Sequence, residues 1–416
     1  MAMKKNLKFK GVEHNKKAWN DYYSKTFRQI RYGGCVTGDE EEKAIIKSIK
    51  ESRKTRNWQA GKEAALFEKE LCEYLNVKHT ILTTSGSCAG LLTLSALELP
   101  KGSEVIISAV TFPTIFNIIL QCGLIPVVVD AKVGTYNFDI DEVEKAITPK
   151  TSAVIAIHAL GNPVDLPRLK KVCGKKIKLI LDNCDGLGTT LNGKKVETYA
   201  DIAFTSFHAA HIVSMGVGGG VFTNDAKLAE YVRVYRDWGR QANTNLPNKY
   251  PNLPKDQNPR FIYEKIGYNF QILDLQAAMG RVQLRQIKKI KEARKKNFDY
   301  LWERLVKYHG TFLELPRWID NADVCWFAFP ITCYPEISRA ELTAYLEKNG
   351  IETRSMFSGN IIKHPAFENS RYRVGSELTW ANYILEHSFW ISCHNSLTKQ
   401  DLDYIIKIFN DFFKQN

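Results

Sequence analysis

The residues with the clearest chemical potential lie in residues 205–220. A polar turn there contains His208 and His211, and a glycine cluster follows it at Gly218 to Gly220. An imidazole has an ordinary pKa of about 6.5, so a histidine can accept and return a proton near neutral pH. Glycine lets one backbone segment pack closely against another. The segment therefore predicts a functional site in which a histidine could transfer a proton.

A second candidate is Asp182, which ends the apolar run Leu179-Ile180-Leu181. An unpaired carboxylate at the end of a buried strand is costly, so Asp182 is expected to have a partner. That partner is either a bound ligand or the backbone of the following turn. The residue types alone leave both possibilities open.

Two further stretches suit anion binding. Ser85, Gly86 and Ser87 precede a helical pattern, so their backbone N–H groups and hydroxyls could hold a phosphate at a helix N-terminus. Serine and glycine also begin many ordinary helices. Arg354 carries a planar guanidinium that can grip a carboxylate or phosphate, with a surface ion pair as the alternative.

Short apolar strands alternating with helical patterns position these residues. The predicted strands cover residues 105–108, 125–130, 153–157, 178–182, 202–206 and 220–223, and the predicted helices between them cover 87–97, 139–147 and 165–173. Such alternation predicts an α/β fold with a mostly parallel central sheet and helices on both faces. Ligands bind beyond the carboxyl ends of the strands in these sheets, where Asp182 and the segment after residue 206 fall.

The rest of the chain predicts three further parts. Residues 1–35 show little periodicity and are interpreted as an N-terminal arm, and 241–260, rich in proline and asparagine, as a long loop. The large domain is predicted to span residues 36–285. Residues 286–416 are predicted to form a smaller C-terminal α/β domain, with helices at 338–349 and 399–413 and a strand at 326–333.

Composition bounds the class of protein. The 416 residues are 44% hydrophobic and 25% charged, with a net charge of +13. The basic stretch 287–296 is interpreted as one solvated helix face comprising Lys288, Lys289, Lys291, Arg294, Lys295 and Lys296. The sequence contains no nucleic-acid-binding signature and no apolar run near the ~20 residues of a membrane helix. We therefore expect a cytoplasmic protein with reduced cysteines, no metal site, and neither a nucleic acid nor a membrane as partner.

The histidine segment resembles a motif of the DegT/DnrJ/EryC1/StrS sugar aminotransferases. Ser206-Phe207-His208, His211 and the glycines at 218–220 are similar to Ser-Phe-His-x-x-Lys…Gly-Glu-Gly-Gly, with His211 in place of the lysine that forms a Schiff base with pyridoxal phosphate. The resemblance implies the type I fold of pyridoxal phosphate-dependent aminotransferases. The substitution resembles the branch of nucleotide-sugar 3-dehydratases, which use pyridoxamine phosphate.

The same resemblance implies roles for other residues. Asp182 matches the aspartate that pairs with the pyridine nitrogen, and Asp185 a polar partner of the ring hydroxyl. Phe112 matches the aromatic that stacks on the ring, and Gly86, Ser87 and Ser206 match the phosphate site. Asn269 matches an asparagine donated by the neighbouring subunit, which implies a homodimer with active sites at the interface.

Substrate-binding residues are implied by two further segments. Residues 158–166 are similar to a Leu-Gly-Asn-Pro-Phe-Asp signature of the 3-dehydratases, and for His158 a structural and a chemical role both stay open. Residues 351–360 resemble a Glu-Thr-Arg-x-x-Phe-x-Gly-Asn stretch, which makes Arg354 and Asn360 candidates.

The sequence also departs from this pattern. Relatives that act on CDP sugars carry a cysteine cluster for an iron–sulfur centre, whereas this chain has no cysteine between Cys184 and Cys325, so no such centre is expected. Val217 stands where the family usually has glutamate.

The expected function is removal of the C3 hydroxyl from a nucleotide-linked 4-keto-6-deoxyhexose, with glutamate regenerating pyridoxamine phosphate. The alternatives are a nucleotide-sugar aminotransferase and a non-catalytic nucleotide-sugar binder.

Overall fold

The computed structural model describes residues 29–241, 250, 252–254 and 256–415. Its helices are α1 Asp39–Thr55, α2 Lys62–Leu75, α3 Gly86–Leu97, α4 Pro113–Gln121, α5 Ile140–Ala146, α6 Leu166–Cys173, α7 Ala226–Arg236, α8 Asp274–Arg285, α9 Ile287–Leu305, α10 Arg339–Lys348, α11 Thr379–His387 and α12 Lys399–Gln415. Residues 1–28 of the predicted arm, and 242–249, 251 and 255 of the predicted loop, lie outside the described residues.

The strands are β1 His79–Thr83, β2 Glu104–Ser108, β3 Ile125–Val129, β4 Thr151–Ile157, β5 Lys178–Asp182, β6 Thr190–Leu191, β7 Lys194–Lys195, β8 Ile202–Ser206, β9 Gly219–Thr223, β10 Leu313–Glu314, β11 Ala322–Asp323, β12 Ala328–Cys333, β13 Arg354–Ser355, β14 Arg373–Val374 and β15 Ser388–Ser392. Each of the six strands predicted between residues 105 and 223 corresponds to an observed strand. Every predicted first and last residue lies within two positions of the observed one.

The central sheet has eight strands in the order β1-β9-β8-β5-β4-β2-β3-β14. Strand β9 runs antiparallel to both of its neighbours, β1 and β8, whereas the other neighbouring pairs are parallel. The carboxyl ends of β1, β2, β4, β5 and β8 consequently meet at one edge of the sheet. The prediction of a mostly parallel α/β sheet is confirmed.

Apolar side chains cover both faces of this sheet. Along β5, Ile180 faces a core shared with α3, α4 and α7, whereas Leu179 and Leu181 face a core shared with α2, α6 and α8. Side chains of a strand alternate between faces, so a fully apolar strand must be covered on both sides. The layered arrangement fixes the sheet edge where the predicted site residues lie.

A second, antiparallel sheet has the order β10-β12-β15-β13 and lies in the C-terminal part of the chain. Its core joins side chains of β12 and β15, such as Phe329 and Phe389, to those of α9, α10 and α12. The change from α8 to α9 at Gln286 coincides with the predicted domain boundary. The division into two domains itself stays a prediction.

The basic stretch 287–296 forms the first half of α9, and its interpretation as a single solvated face was wrong for Lys291, whose side chain is 14% exposed and pairs with Asp323, and above all for Arg294. That side chain is 1% exposed, and it lies four residues from the buried Ile290 and Phe298. Residues four apart share one face of a helix, so Arg294 lies on the apolar face rather than with the lysines.

No helix among the described residues has the length and apolar character needed to cross a lipid bilayer.

Candidate active site

A cavity of about 460 Å³ opens at the carboxyl edge of the central sheet. Most of the predicted site residues line it, and they lie at the carboxyl ends of β1, β2, β4, β5 and β8 or in the segments that follow them: Gly86, Ser87, Phe112, His158, Asp182, Asp185, Ser206 and His211. Arg354 reaches the same cavity from β13 in the small sheet. The fold thus gathers residues that lie more than 260 positions apart in the sequence.

Asp182 is the last residue of β5, and its carboxylate is almost completely buried. The backbone N–H of Cys184 donates to Oδ1 at 3.0 Å, so the turn satisfies part of the carboxylate. Burial raises the pKa of Asp182 to about 6, and the bond from Cys184 opposes that rise. A positively charged group bound in the cavity would compensate for this buried negative charge.

His211 and Asp185 form a close pair. Nε2 of His211 lies 3.4 Å from Oδ1 of Asp185, and the backbone N–H of Leu160 donates to the other carboxylate oxygen at 3.3 Å. Burial, followed by the negative charge of Asp182, raises the pKa of Asp185 to about 7. Burial lowers the pKa of His211, and the positive potentials of His208 and Arg294 act in the same direction. At neutral pH His211 is therefore an uncharged imidazole able to accept a proton.

The N-terminus of α3 forms one end of the cavity. Ser85 is the N-cap residue, and its hydroxyl accepts from the backbone N–H of Cys88 at 3.0 Å. A Cβ added to Gly86 would lie 2.6 Å from Cβ of Ser206, so only glycine fits beside that side chain. The hydroxyl of Ser87 lies 2.8 Å from that of Thr114, and both line the cavity. Free helix N–H groups and these hydroxyls make a site suited to a phosphate.

The predicted glycine cluster lies where two backbone segments pack closely together. Gly219 begins β9, and a Cβ there would lie 2.2 Å from the backbone oxygen of Ser85. Backbone of the histidine segment therefore contacts the turn before α3 directly. This close approach places His211 and the α3 N-terminus around one cavity, and it confirms the prediction made from the glycines.

Phe112 is the N-cap residue of α4, and its ring is 58% exposed at the cavity. A ring exposed at a cavity wall is available for stacking on a ligand. A flat ring bound in the cavity would cover it. Across the cavity, Phe327 packs edge-on against the His211 ring, with ring centroids 5.5 Å apart.

His158 follows β4 and is completely buried beside the cavity. Asn183 donates from Nδ2 to Glu197 at 2.7 Å, so its Oδ1 is left to accept from Nδ1 of His158 at 3.2 Å. This assignment leaves Nε2 as an acceptor, and Nε2 has no partner among the described residues. Burial lowers the pKa of His158 to about 3. His158 is thus tied into a structural hydrogen-bond chain while lining the cavity.

Arg354 lies on the small-sheet side of the cavity. Nη1 donates to the carbonyl of Thr353 at 2.7 Å, and the guanidinium lies 4.2 Å from the ring centroid of Tyr32. Its remaining N–H groups border the cavity, although Glu352 approaches one of them at 3.5 Å. The geometry suits binding of an anionic group carried by a ligand.

Two predicted residues lie away from the cavity wall. Asn269 is exposed in the segment after α7, where it pairs with Asp237 in an isolated β-bridge. Asn360 is completely buried, with Nδ2 donating to Asn382 and Oδ1 accepting from the backbone of Ile362. Internal partners therefore occupy both polar groups of Asn360. The roles suggested for Asn269 and Asn360 both stay predictions.

The cavity also contains residues that sequence reasoning did not single out. They include Tyr32, Thr114, Cys184, Phe204 and Phe327. Aromatic residues in or next to apolar runs have the pattern of core residues, so no signal separated Phe327 from the core. Tyr32 belongs to the predicted arm, where periodicity gave no information.

Among the described residues, no group of His, Cys, Asp or Glu side chains has an arrangement that could hold a metal ion.

Comparison with known proteins gives a family match across nearly the whole chain. The model of the DegT/DnrJ/EryC1/StrS aminotransferase family matches residues 39–410. The chain belongs to this family. The predicted resemblance, and with it the fold of the pyridoxal phosphate-dependent aminotransferases, is confirmed.

Curated relatives in the family cover most of this chain. The lipopolysaccharide biosynthesis protein RfbH of Salmonella typhimurium is 39% identical, over 92% of this chain and 91% of its own. The dTDP-4-dehydro-2,6-dideoxy-D-glucose 3-dehydratase of Saccharopolyspora spinosa is 35% identical, over 92% of this chain and 86% of its own. Among solved structures, GDP-4-keto-6-deoxy-D-mannose-3-dehydratase of E. coli with bound hydrated PLP has a TM-score of 0.84 at 26% identity, covering 92% of this chain and 100% of its own. The family relatives include both 3-dehydratases and sugar aminotransferases such as GDP-perosamine synthase.

Proposed function

We propose that this protein is a pyridoxamine phosphate-dependent 3-dehydratase that acts on a nucleotide-linked 4-keto-6-deoxyhexose. The observation that carries the proposal is the imidazole of His211, which stands where the family motif has a lysine amine. An imidazole cannot hold a cofactor through a Schiff base, but it can transfer protons. A site of this kind favours elimination of a hydroxyl over completed transfer of an amino group.

The residues around the cavity fit a pyridoxamine phosphate held without a covalent bond. The α3 N-terminus, with Gly86, Ser87 and Ser206, suits the phosphate. The buried carboxylate of Asp182 suits a protonated pyridine nitrogen, and the exposed ring of Phe112 suits stacking on the heterocycle. Asp185 is the proposed partner of the ring hydroxyl.

When bound, the cofactor supplies an amine for the substrate ketone and a ring that accepts an electron pair. Asp182 keeps a proton at the ring nitrogen, because its negative charge favours the protonated form. The imidazole of His211 accepts and returns the proton that must move. Its Nε2 faces the carboxylate of Asp185, which orients the ring, so Nδ1, which has no partner among the described residues, is the nitrogen left to accept the proton. The C3 hydroxyl leaves as water.

The overall reaction balances with glutamate as the amino donor. The sugar loses one oxygen at C3 and keeps its C4 ketone, while glutamate becomes 2-oxoglutarate and its nitrogen leaves as ammonia. Arg354 is the proposed contact for a carboxylate or a phosphate of these substrates, with His158, which also lines the cavity, as a further candidate. The contact suggested for Asn360 requires its internal hydrogen bonds to rearrange. Position 217 lies at the cavity, where the side chain is 52% exposed. Because this residue is valine and not the glutamate of the family motif, the position supplies no carboxylate.

Support for a dehydratase also comes from the relatives, several of which are named as 3-dehydratases of dTDP- or GDP-linked sugars. The nucleotide is left open among CDP, GDP and dTDP. An aminotransferase that uses a different lysine is less well supported, because the described residues of the cavity wall include no lysine. Lys195 instead lies 3.7 Å from the ring centroid of Tyr74, which is not part of the cavity wall.

We further propose that the protein works as a cytoplasmic homodimer without an iron–sulfur centre. Asn269 would then be donated to the cavity of the neighbouring subunit. Its exposed position, outside the cavity of its own chain, agrees with that role.

One incubation tests the proposal. Purified protein, pyridoxamine phosphate and glutamate are combined with CDP-, GDP- or dTDP-4-keto-6-deoxyhexose, and the products are identified by mass while ammonia is followed. A sugar that has lost the C3 oxygen and contains no new nitrogen supports the 3-dehydratase. A product that retains nitrogen identifies an aminotransferase, and ligand binding without turnover for all three identifies a non-catalytic binder.

A further inference from the structure

Arg294 is a buried cation that has no direct ion pair with any residue the structure describes. Nη1 donates to the carbonyl of Phe327 at 2.8 Å, and Nε has no hydrogen-bond partner among the described residues. The ion pairs of α9 in the described chain instead use Lys288, Lys291, Lys295 and Arg304. A buried charge without a close partner costs free energy, so a compensating charge is expected nearby.

The titratable groups whose charges interact with this guanidinium come from four separate segments, and they are Asp185, His211, Cys325, Cys393 and His394. Burial raises the pKa of Cys325 to about 11 and that of Cys393 to about 12, so neither thiol is ionised at neutral pH. Burial lowers the pKa of His394, which is uncharged as well. Asp185 is therefore the group among them that can carry a compensating negative charge.

The link from Arg294 to the cavity passes through Phe327. The backbone of Phe327 accepts the hydrogen bond from Arg294, and its ring packs against His211. Arg294 itself lies behind this residue and is not part of the cavity wall. It can therefore act on the reacting groups through charge and packing but cannot touch a substrate.

We propose that Arg294 is a positioning residue that sets the charge of the His211–Asp185 pair. Its positive charge favours the ionised carboxylate and disfavours the imidazolium, so the pair stays in the state in which His211 can accept a proton. The inference rests on the proposed function of His211 and adds a residue to it. Without the guanidinium, the pair takes up a proton at a higher pH.

The test is a pH titration of Asp185 and His211 in the full chain, monitored by NMR of ¹³C-labelled aspartate and ¹⁵N-labelled histidine. In Arg294→Gln the midpoint of the pair is expected to rise by about one pH unit, as a charge interaction in a partly screened interior predicts. Arg294→Lys keeps the charge and is expected to titrate like the wild type. Arg304→Gln, on the exposed side of the same helix, is the matched control. A midpoint in Arg294→Gln equal to that of the wild type overturns the proposal, as does an equal shift in Arg294→Lys.

A second measurement tests the proposal if the Arg294→Gln chain fails to fold. In that case the buried carboxylate has lost its compensating cation, so adding Asp185→Asn is expected to restore a cooperative urea transition. A double variant that remains unfolded counts against the proposal. Neither measurement uses a nucleotide sugar, so the charge coupling can fail or hold independently of the proposed reaction.

Discussion

His211 owes its proposed role to its surroundings as much as to its own chemistry. The ring is packed against Phe327 and held beside Asp185, within a cavity whose buried groups disfavour a charged imidazole. An imidazole must be uncharged to accept a proton, and this environment keeps His211 uncharged at neutral pH while it also makes the ring a weaker base than a free histidine. The same burial raises the pKa of Asp182 to about 6, because in both groups burial disfavours the charged form.

Replacing His211 by asparagine tests this role directly. We expect the rate of C3 hydroxyl loss in a single turnover to fall by a factor of about 10² to 10⁴, the usual contribution of a general base. The dissociation constant for pyridoxamine phosphate should change little, because the phosphate and ring contacts remain. His387→Asn, a histidine outside the cavity wall, serves as the control and should keep wild-type turnover. Undiminished turnover in His211→Asn would show that another group moves the proton.

His158 offers a prediction about stability and pH. Burial lowers its pKa from 6.5 to about 3, so the unfolded chain binds a proton in this window that the folded chain does not. The stability that His158 contributes is complete above pH 6.5 and is lost as the pH falls toward 3. Between pH 7 and pH 5 the free energy of unfolding of the wild type should fall by about 2 kcal/mol more than that of His158→Gln. Urea unfolding at the two pH values measures this, and identical pH dependence in both proteins would exclude a neutral buried imidazole.

At the scale of elements, the turn before α3 carries the proposed phosphate site and depends on the absence of a side chain at residue 86. A Cβ there would meet Ser206 at 2.6 Å and Cys184 at 3.2 Å, so Gly86→Ala must displace the turn or the β8 loop. We expect the dissociation constant for pyridoxamine phosphate to rise at least about tenfold, because the helix N–H groups lose their alignment. Equilibrium dialysis or fluorescence titration measures the change. Gly38→Ala is the control, since a Cβ at that helix N-cap has its nearest neighbour at 3.9 Å. Equal affinities in the two variants would remove α3 from the phosphate site.

The elements that sequence reasoning located well are those with strong local signals. Strands β5 and β8 were predicted with their observed ends, because an apolar run stops at a polar residue, Asp182 in one and Ser206 in the other. Arg294 was placed wrongly because its neighbours in the sequence are lysines, and only the packing of α9 decides which face is buried. Phe327 could not be placed beside His211, since their contact joins segments 116 positions apart. Local patterns specify elements, whereas long-range packing selects which side chains meet at the cavity.

At the scale of the whole molecule, the region after α7 exposes an unusual set of apolar side chains. Ile266 is 96% exposed, and the exposed large side chains of the same region are Trp238, Phe261, Tyr263 and Leu273. Contiguous exposed apolar groups commonly mark a protein–protein interface. Asn269 lies within this region, which agrees with the proposal that a second subunit packs here and receives its side chain.

Mixing two inactive variants tests whether the active site is shared between subunits. Asn269→Ala and His211→Asn should each lose most of their turnover as separate proteins. In a heterodimer with a shared site, one cavity combines both defects and the other combines an intact His211 with an intact Asn269. Random exchange of subunits after mild denaturation should therefore restore about a quarter of the wild-type turnover, since about half of the dimers are mixed and each has one intact site. Mixing His211→Asn with His211→Ala is the control and should restore nothing. If the first mixture also stays inactive while mass spectrometry shows that heterodimers have formed, each chain builds its own site and Asn269 acts within the subunit that carries it.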